Sequence, residues 1–373
     1  MARQGFEQVL AVQDETSGLR GFLGLHDTSA GPAFGGIRRF AYRDENAALI
    51  DCLRLSRAMS YKCVLNDVPG GGAKLVLLDR PEADKARTYR AIGRMVEGLG
   101  GRYYAGPDVG TGSEELAWVA EETDYVTRPG VEGPGDLAEA TAGGVFASIA
   151  AALRSRDGDE RWGDRRICLQ GVGRVGEKLA RRLIELGVHV LASEADEERR
   201  AELERSLDLE WVDSSSEFGV EADVFAPCAM GGVLHDLSIE RLSPKIVCGA
   251  ANTPLARSRH ADILHRRGVL FVPDALASAG ALIRGSTFHL EGEAASLASI
   301  EARIGRTVEG FLTEAASLDV APWRLAKEDA ERRIRANRHR RVAKAILPKR
   351  RQPAPEAPKS EPTPEVVDSS VDS

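Results

Sequence analysis

The sequence predicts an α/β fold in two domains, the second built on a doubly wound parallel sheet. Three observations predict it. Between about residues 140 and 290, short apolar runs alternate with helical stretches, the pattern of strands joined by crossover helices. One of those runs leads straight into a glycine fingerprint that opens a helix. The 373 residues, 43% of them hydrophobic and 29% charged, suffice for two domains of ordinary size with buried cores.

Up to about residue 130, short apolar runs also alternate with helical stretches. Asp44 is a candidate N-cap for a helix running through Ser56, with apolar positions at helical spacing. Ala73–Leu78 reads as a strand leaving a turn at Gly70-Gly71-Gly72, and Asp84–Leu99 as a helix closed by Gly100-Gly101. Glu132-Gly133-Pro134-Gly135-Asp136 has the composition of an interdomain hinge. Beyond it, strands are expected at Arg166–Gln170, Val188–Ser193, Val224–Ala226, Ile246–Gly249 and Leu270–Val272. Helical periodicity resumes after residue 293 and lasts to about 347. Residues 350–373 are rich in proline, acids and serine and lack aromatics, so a disordered tail is expected. The expected division is 1–134, 135–292, a helical segment 293–349 returning to the first domain, and the tail 350–373.

Composition narrows the function. A net charge of −7 argues against a general nucleic-acid binder. The basic run from Arg332-Arg333-Ile334-Arg335 to Arg340-Arg341 keeps that alternative in view, against a solvated or intersubunit helix face. No apolar run reaches the roughly 18 residues of a membrane span, and Met1–Glu7 has no apolar signal core. A cytoplasmic protein without a membrane partner is expected. The cysteines (Cys52, Cys63, Cys168, Cys228, Cys248) are scattered without CxxC spacing and read as small buried hydrophobes. The histidines show no HExxH pairing, so no metal site is expected.

Two motifs carry chemistry. Arg166–Gln170 runs directly into Gly171-Val172-Gly173-Arg174-Val175-Gly176, and a helical run follows. Glycines there permit the tight turn and the approach of backbone to a pyrophosphate, which then faces a helix N-terminus. That is a Rossmann dinucleotide site. Glu194 ends the next strand, 18 positions past Gly176. An acid there accepts from the adenosine ribose and repels a 2′-phosphate, which favours NAD over NADP. The bland alternative is that Glu194 and Asp196 cap the following helix.

The second motif pairs Lys62 with Lys74, the latter directly behind Gly70-Gly71-Gly72-Ala73, and adds Asp108 in Gly106-Pro107-Asp108-Val109-Gly110-Thr111. Glycines let backbone approach a ligand or take φ > 0. A lysine desolvated there falls in pKa toward the range useful for acid/base work. Chemistry on a small anionic substrate is the leading reading. A surface hairpin, a turn cap and an exposed ion pair are the structural alternatives.

Taken in order, Gly35-Gly36-Ile37-Arg38, Tyr61-Lys62, Gly70–Lys74, Gly106–Thr111, Gly171–Gly176, Phe225–Gly232 and Gly249-Ala250-Ala251-Asn252 resemble the glutamate/leucine/phenylalanine/valine dehydrogenases. The likeness covers about residues 30–290 and is closer to the leucine and phenylalanine branch. It implies an NAD-dependent, homo-oligomeric enzyme that deaminates an L-amino acid to the 2-oxo acid and ammonia. It implies an N-terminal domain for substrate binding and oligomerisation. Lys74 would activate the attacking water, Asp108 would exchange protons with the amino group, and Lys62 would bind the substrate carboxylate. Gly35 and Gly36 would lie against that carboxylate, Asn252 near ribose or substrate, and Thr141 near the nicotinamide amide. Phe34, Gly106 and Leu282 would wall the side-chain pocket. Glycine followed by leucine at the last two resembles the phenylalanine-preferring members, so an apolar side chain, aromatic ones included, is expected. Two departures, Ser278 in Ser278-Ala279-Gly280-Ala281 and Asp136 in Gly135–Glu139, leave altered substrate choice or a non-catalytic NAD-binding sensor as the rival.

Overall fold

The computed structural model describes residues 5–80, 84–128 and 133–346. The expected tail, and Glu132 of the expected hinge, lie outside the described residues. The first half runs β1 (Gln8–Asp14), β2 (Leu19–Leu25), β3 (Ala33–Phe40), α1 (Glu45–Leu65), β4 (Gly71–Leu78), α2 (Lys85–Glu97), β5 (Tyr103–Gly106) and α3 (Ser113–Ala120). Its five strands lie in the order β1-β2-β4-β3-β5, antiparallel from β1 to β4 and parallel from β4 to β5.

The second half begins with α4 (Leu137–Asp157), β6 (Arg166–Gln170), α5 (Arg174–Glu185), β7 (His189–Ser193), α6 (Glu197–Glu204) and β8 (Glu210–Trp211). It continues with β9 (Val224–Pro227), α7 (Asp236–Arg241), β10 (Ile246–Val247), α8 (Arg259–Arg266), β11 (Leu270–Phe271), α9 (Asp274–Ala277) and α10 (Gly280–Glu291). Two long helices, α11 (Leu297–Leu318) and α12 (Pro322–Ile346), close the fold. The six strands form one parallel sheet in the order β11-β10-β9-β6-β7-β8. The five strands expected here are present within two residues of their expected ends; the short edge strand β8 was not expected. Strand order reverses between β6 and β9, which opens a crevice at their carboxyl ends.

One element departs from the sequence reading. Gly71 and Gly72 are not in a turn: they are the first two residues of β4, and neither has positive φ. Their use is close approach. A Cβ on Gly72 would lie 2.1 Å from the Ser60 nitrogen and 2.4 Å from the Ser56 oxygen, both backbone atoms of α1. The helix answers with Ala48, Cys52, Ser56 and Ser60, small residues four apart on one face and all essentially inaccessible. Backbone therefore lies on backbone. The Asp44 side chain starts α1 as expected, accepting from the Ala47 nitrogen at 2.7 Å.

The largest core cluster joins the two halves. It takes Ile167, Leu169, Val224 and Ala226 from one face of the parallel sheet and Cys63, Val64 and Leu65 from the end of α1. Ala142, Val145 and Ile149 of α4 and Ile304 and Val308 of α11 lie between. The opposite face of the sheet packs Cys168, Leu191, Phe225 and Val247 under a separate cluster that Trp323 of α12 borders. Farther along, α12 meets the first half: Tyr61 Oη donates to Glu331 at 2.9 Å, and Arg338 pairs with buried Asp27 at 2.7 Å. Arg333 pairs with Asp67, Arg335 with Glu331 and Arg341 with Glu7, so these arginines of the basic run are engaged within the chain. All five cysteines are free thiols, four buried and Cys228 half-buried. Among the described residues, no helix is long and apolar enough to cross a membrane, and no cluster of three or more His, Cys, Asp or Glu is placed to hold a metal.

The contact at Gly72 is expected to be intolerant of a single methyl. Gly72→Ala should lower the unfolding free energy by about 3 kcal/mol, since neither backbone can give way. Gly163→Ala, where a Cβ meets nothing within 4 Å, should stay within about 0.5 kcal/mol of the parent. Urea unfolding of the two variants measures both.

Candidate active site

Along β4, Gly72, Lys74 and Val76 share the face that α1 covers. The same contact that seats α1 on β4 brings Lys62, in the helix's last turn, toward Lys74. Both lysines are buried, at 7% and 5% exposure. Asp108 follows β5 in a turn closed by a hydrogen bond from the Thr111 nitrogen to the Asp108 oxygen at 3.0 Å. Lys74 Nζ makes a direct ion pair with Asp108 Oδ2. Asp108 Oδ1 accepts from Arg38 Nη2 at 3.1 Å and from the Val109 nitrogen at 2.7 Å. Burial pushes the Asp108 carboxyl up, but Lys74 and Arg38 outweigh it and hold the pKa down at about 2.

Lys62 Nζ donates to Asn252 Oδ1 at 2.9 Å, Ser278 Oγ at 2.9 Å and the Ser278 carbonyl at 3.1 Å. Burial lowers its pKa to about 8, with the carboxylate of Asp274 pulling the other way. Asp274 is itself buried, which raises its pKa, and it accepts from the Thr253 nitrogen at 2.8 Å. Ser278, a departure from the family pattern, is therefore part of the lysine's setting. Its oxygen receives Lys62, and its own hydroxyl hydrogen goes to the Asp274 oxygen at 2.8 Å. Asp136, the other departure, caps α4 through the Glu139 nitrogen at 2.9 Å and pairs with Lys178 at 2.7 Å.

A cavity of about 240 Å³ gathers most of the predicted residues. Lys62, Lys74 and Asp108 line it together with Phe34, Gly35, Gly36, Gly106 and Leu282, and with Thr141, Val175 and Asn252. Thr141 turns its hydroxyl to the Leu137 oxygen at 3.0 Å. Gly171, Val172, Gly173, Gly176 and Glu194 form a separate group at the carboxyl ends of β6 and β7. Sequence reasoning missed Arg38 as a site residue, although its motif was noted. It also missed Asp51, which accepts from Arg38 at 3.1 Å and from Tyr42 Oη at 2.6 Å, and it missed Asp274. No local spacing signals any of these three.

The glycine loop has the shape a dinucleotide requires. Gly171 takes φ +88°, and its nitrogen donates to the Ser193 oxygen at 2.8 Å. A Cβ on Gly176 would lie 2.2 Å from the Gly171 oxygen, so helix α5 packs tightly on the turn. A Cβ on Gly173, at the N-cap of α5, meets nothing within 4 Å, which leaves the helix N-terminus open to an anion. Glu194 Oε2 accepts from the Val172 nitrogen at 2.8 Å, and Oε1 from the Ala195 nitrogen at 2.9 Å and the Asp196 nitrogen at 3.1 Å. Asp196, not Glu194, is the cap of α6. A carboxylate has room for a further donor beyond these three.

The chain is similar to known proteins along most of its length. The family model described as Glu/Leu/Phe/Val dehydrogenase, dimerisation domain, matches residues 6–125, and the one described as Glutamate/Leucine/Phenylalanine/Valine dehydrogenase matches residues 192–338. A leucine dehydrogenase of Bacillus subtilis is 34% identical over 90% of this chain and 94% of its own. A phenylalanine dehydrogenase of Caldalkalibacillus thermarum is 40% identical over 75% of this chain and 78% of its own. The crystal structure of L-tryptophan dehydrogenase from Nostoc punctiforme superposes with a TM-score of 0.73 at 32% identity, covering 91% of this chain and 98% of that one.

The depressed Asp108 pKa fixes a pH dependence of stability. The contribution is present above the unfolded carboxyl's value and is lost as pH falls through about 2. Its size is on the order of 2 kcal/mol. The stability gap between wild type and Asp108→Asn, read by urea unfolding, should therefore narrow as the pH is lowered from about 6 to about 2.5. A gap unchanged over that range would contradict the pairing with Lys74 and Arg38.

Proposed function

The chain belongs to the glutamate/leucine/phenylalanine/valine dehydrogenase family and is an amino-acid dehydrogenase, and we propose that it catalyses the reversible, NAD-dependent oxidative deamination of an apolar or aromatic L-amino acid to the 2-oxo acid and ammonia. The observation that carries this reading is the Lys74–Asp108 ion pair in one cavity with Lys62. When bound, the nicotinamide supplies the acceptor for the hydride on the substrate's Cα.

The chain's own residues divide the remaining chemistry. Lys62 exchanges one of its three hydrogen bonds for the substrate carboxylate, which the backbone at Gly35 and Gly36 flanks. Asp108, ionised at neutral pH, accepts a proton from the substrate ammonium and returns it in the reverse direction. Lys74 orients the water that attacks the imine carbon and, acting as the neutral amine after releasing its own ammonium proton, takes a proton from that water. The proton that Asp108 took from the substrate returns to the departing amine. Removing bulk water from this cavity strengthens each of these interactions.

The nucleotide is assigned to the Gly171–Gly176 loop, with Thr141 and Asn252 at its nicotinamide end. Glu194 supports NAD over NADP because a carboxylate facing the ribose disfavours a further phosphate. Arg199, which reaches the same loop, pairs with Glu177 and Glu202. We assign residues 1–134 to substrate binding and oligomerisation, 135–292 to the nucleotide and 293–349 to helices docking back on the first part. A homo-oligomer fits the match over residues 6–125 to a dimerisation domain, and the cytoplasmic location stays as the composition suggests. The sensor alternative rested on Ser278 and Asp136, and both make structural contacts that leave Lys62, Lys74 and Asp108 intact.

Lys74→Ala should lower turnover by at least about a thousandfold while NAD still binds, as read by NADH formation and by calorimetric titration with the nucleotide. Near-normal turnover would refute the role of Lys74. Glu194→Ser should shrink the preference for NAD over NADP by about tenfold or more, read as the ratio of kcat/KM for the two cofactors; an unchanged ratio would remove Glu194 from that role.

A further inference from the structure

The ammonium of Lys62 has three acceptors, Asn252 Oδ1, Ser278 Oγ and the Ser278 carbonyl, and all of them are neutral. They belong to two segments: Asn252 follows β10, and Ser278 ends α9. One residue ties the two segments together. Asp274 opens α9, and its backbone oxygen accepts from the Ser278 nitrogen at 3.0 Å and from the Ser278 hydroxyl at 2.8 Å. Its side chain reaches the other segment, where Oδ2 accepts from the Thr253 nitrogen at 2.8 Å, one residue past Asn252.

The backbone at Thr253 is strained. Its φ is +50°, and of the three non-glycine residues with positive φ among the described residues it is the β-branched one. Its hydroxyl is buried without a hydrogen-bond partner. Strain of this kind persists only where the surroundings over-determine it. Here a charge-assisted hydrogen bond to the Asp274 carboxylate holds the turn, and the turn presents Asn252 to Lys62.

The same carboxylate is a charge. Asp274 is 8% exposed and stands outside the lining of the cavity that Lys62 faces. Of the cations that draw it, Lys62 comes first and Arg54 second. Burial is the largest influence on Lys62 and brings its pKa down to about 8. Asp274 is the next and opposes that fall; Lys74 of β4 adds to it, and Asp108 after β5 and the Cys63 thiol of α1 oppose it more weakly. Without Asp274, the lysine would lose its proton near neutral pH and with it the attraction for a carboxylate.

We propose that Asp274 is a positioning residue for the reaction: without touching the substrate, it supplies the counter-charge to the Lys62 ammonium and holds Asn252 and Ser278 around it. The proposal rests on the assignment of Lys62 to the substrate carboxylate and adds what makes that lysine fit for the task.

The test compares wild type, Asp274→Asn and Asp274→Ala. Asparagine keeps an acceptor for the Thr253 nitrogen and removes the charge, whereas alanine removes both. L-Phenylalanine, L-tryptophan and L-leucine are the substrates. The probes are 3-phenylpropionate, 3-indolylpropionate and 4-methylpentanoate, read as competitive inhibitors of the matching amino acid. Lacking an amino group, they do not titrate between about pH 6 and about pH 9. At about pH 9, Asp274→Asn should bind the probe about tenfold more weakly than wild type, because Lys62 loses its proton about one pH unit earlier. At about pH 6, where Lys62 is charged in both, it should bind the probe at least as tightly, since a repelling carboxylate is gone. Its kcat at saturating amino acid should change by less than about threefold, which also shows that the variant is folded. Asp274→Ala should bind the probe about tenfold or more weakly at both pH values, because the turn that carries Asn252 is released as well. A weakening in Asp274→Asn that is equal at the two pH values, or absent at both, would overturn this proposal and leave the dehydrogenase reading standing. A wild type inactive on all three amino acids would overturn both.

Discussion

The site depends on the seating of helix α1 on strand β4, backbone against backbone. A helix normally stands about 10 Å from the element it packs on because side chains intervene. Here the residue beneath the helix is glycine and those facing it are alanine, cysteine and serine, so the spacer is gone. The consequence is electrostatic. Two lysines that would otherwise sit on separate elements share one buried cavity, and burying like charges together is unfavourable. The fold answers with carboxylates: Asp108 against Lys74, and Asp274 on the far side of Lys62. Arg38 adds a third cation, balanced by Asp51. Lys74, Lys62 and Arg38 thus each have an acidic partner in Asp108, Asp274 and Asp51, the last shared with Arg54.

Much of this was legible in the residues, for a physical reason. Cofactor loops and catalytic turns are built from neighbours in the chain, so Gly171–Gly176 and Gly106–Thr111 carry their signal in consecutive letters. The strand before Gly171 and the helix after it are present as read. The lysine of β4 and the aspartate after β5 do meet, 34 positions apart in the chain and joined by an ion pair. What the letters hid was the reason for the glycines before Lys74. A glycine run fits a turn or a close approach equally well, and only the position of α1 decides between them.

The residues that escaped notice share a different trait. Arg38, Asp51 and Asp274 act on the site from three separate elements, and nothing in the spacing of one points to another. Thr253 is of the same kind, joined to Asp274 across 21 positions. Ser278 illustrates the converse case. As a departure from a family pattern it raised doubt about activity, yet its hydroxyl sits where it steadies Lys62.

The five thiols set a limit on what chemistry can interfere here. Those of Cys52, Cys63, Cys168 and Cys248 are buried, and burial pushes each pKa up to about 12 or beyond. Cys228 alone is within reach of the nucleotide crevice, and burial raises its thiol to about 11. At neutral pH only about one in ten thousand of its sulfurs is the thiolate that oxidants and electrophiles attack. An enzyme that hands electrons to a nicotinamide has thus kept the sulfur nearest its cofactor crevice in the protonated form that reacts slowly with oxidants.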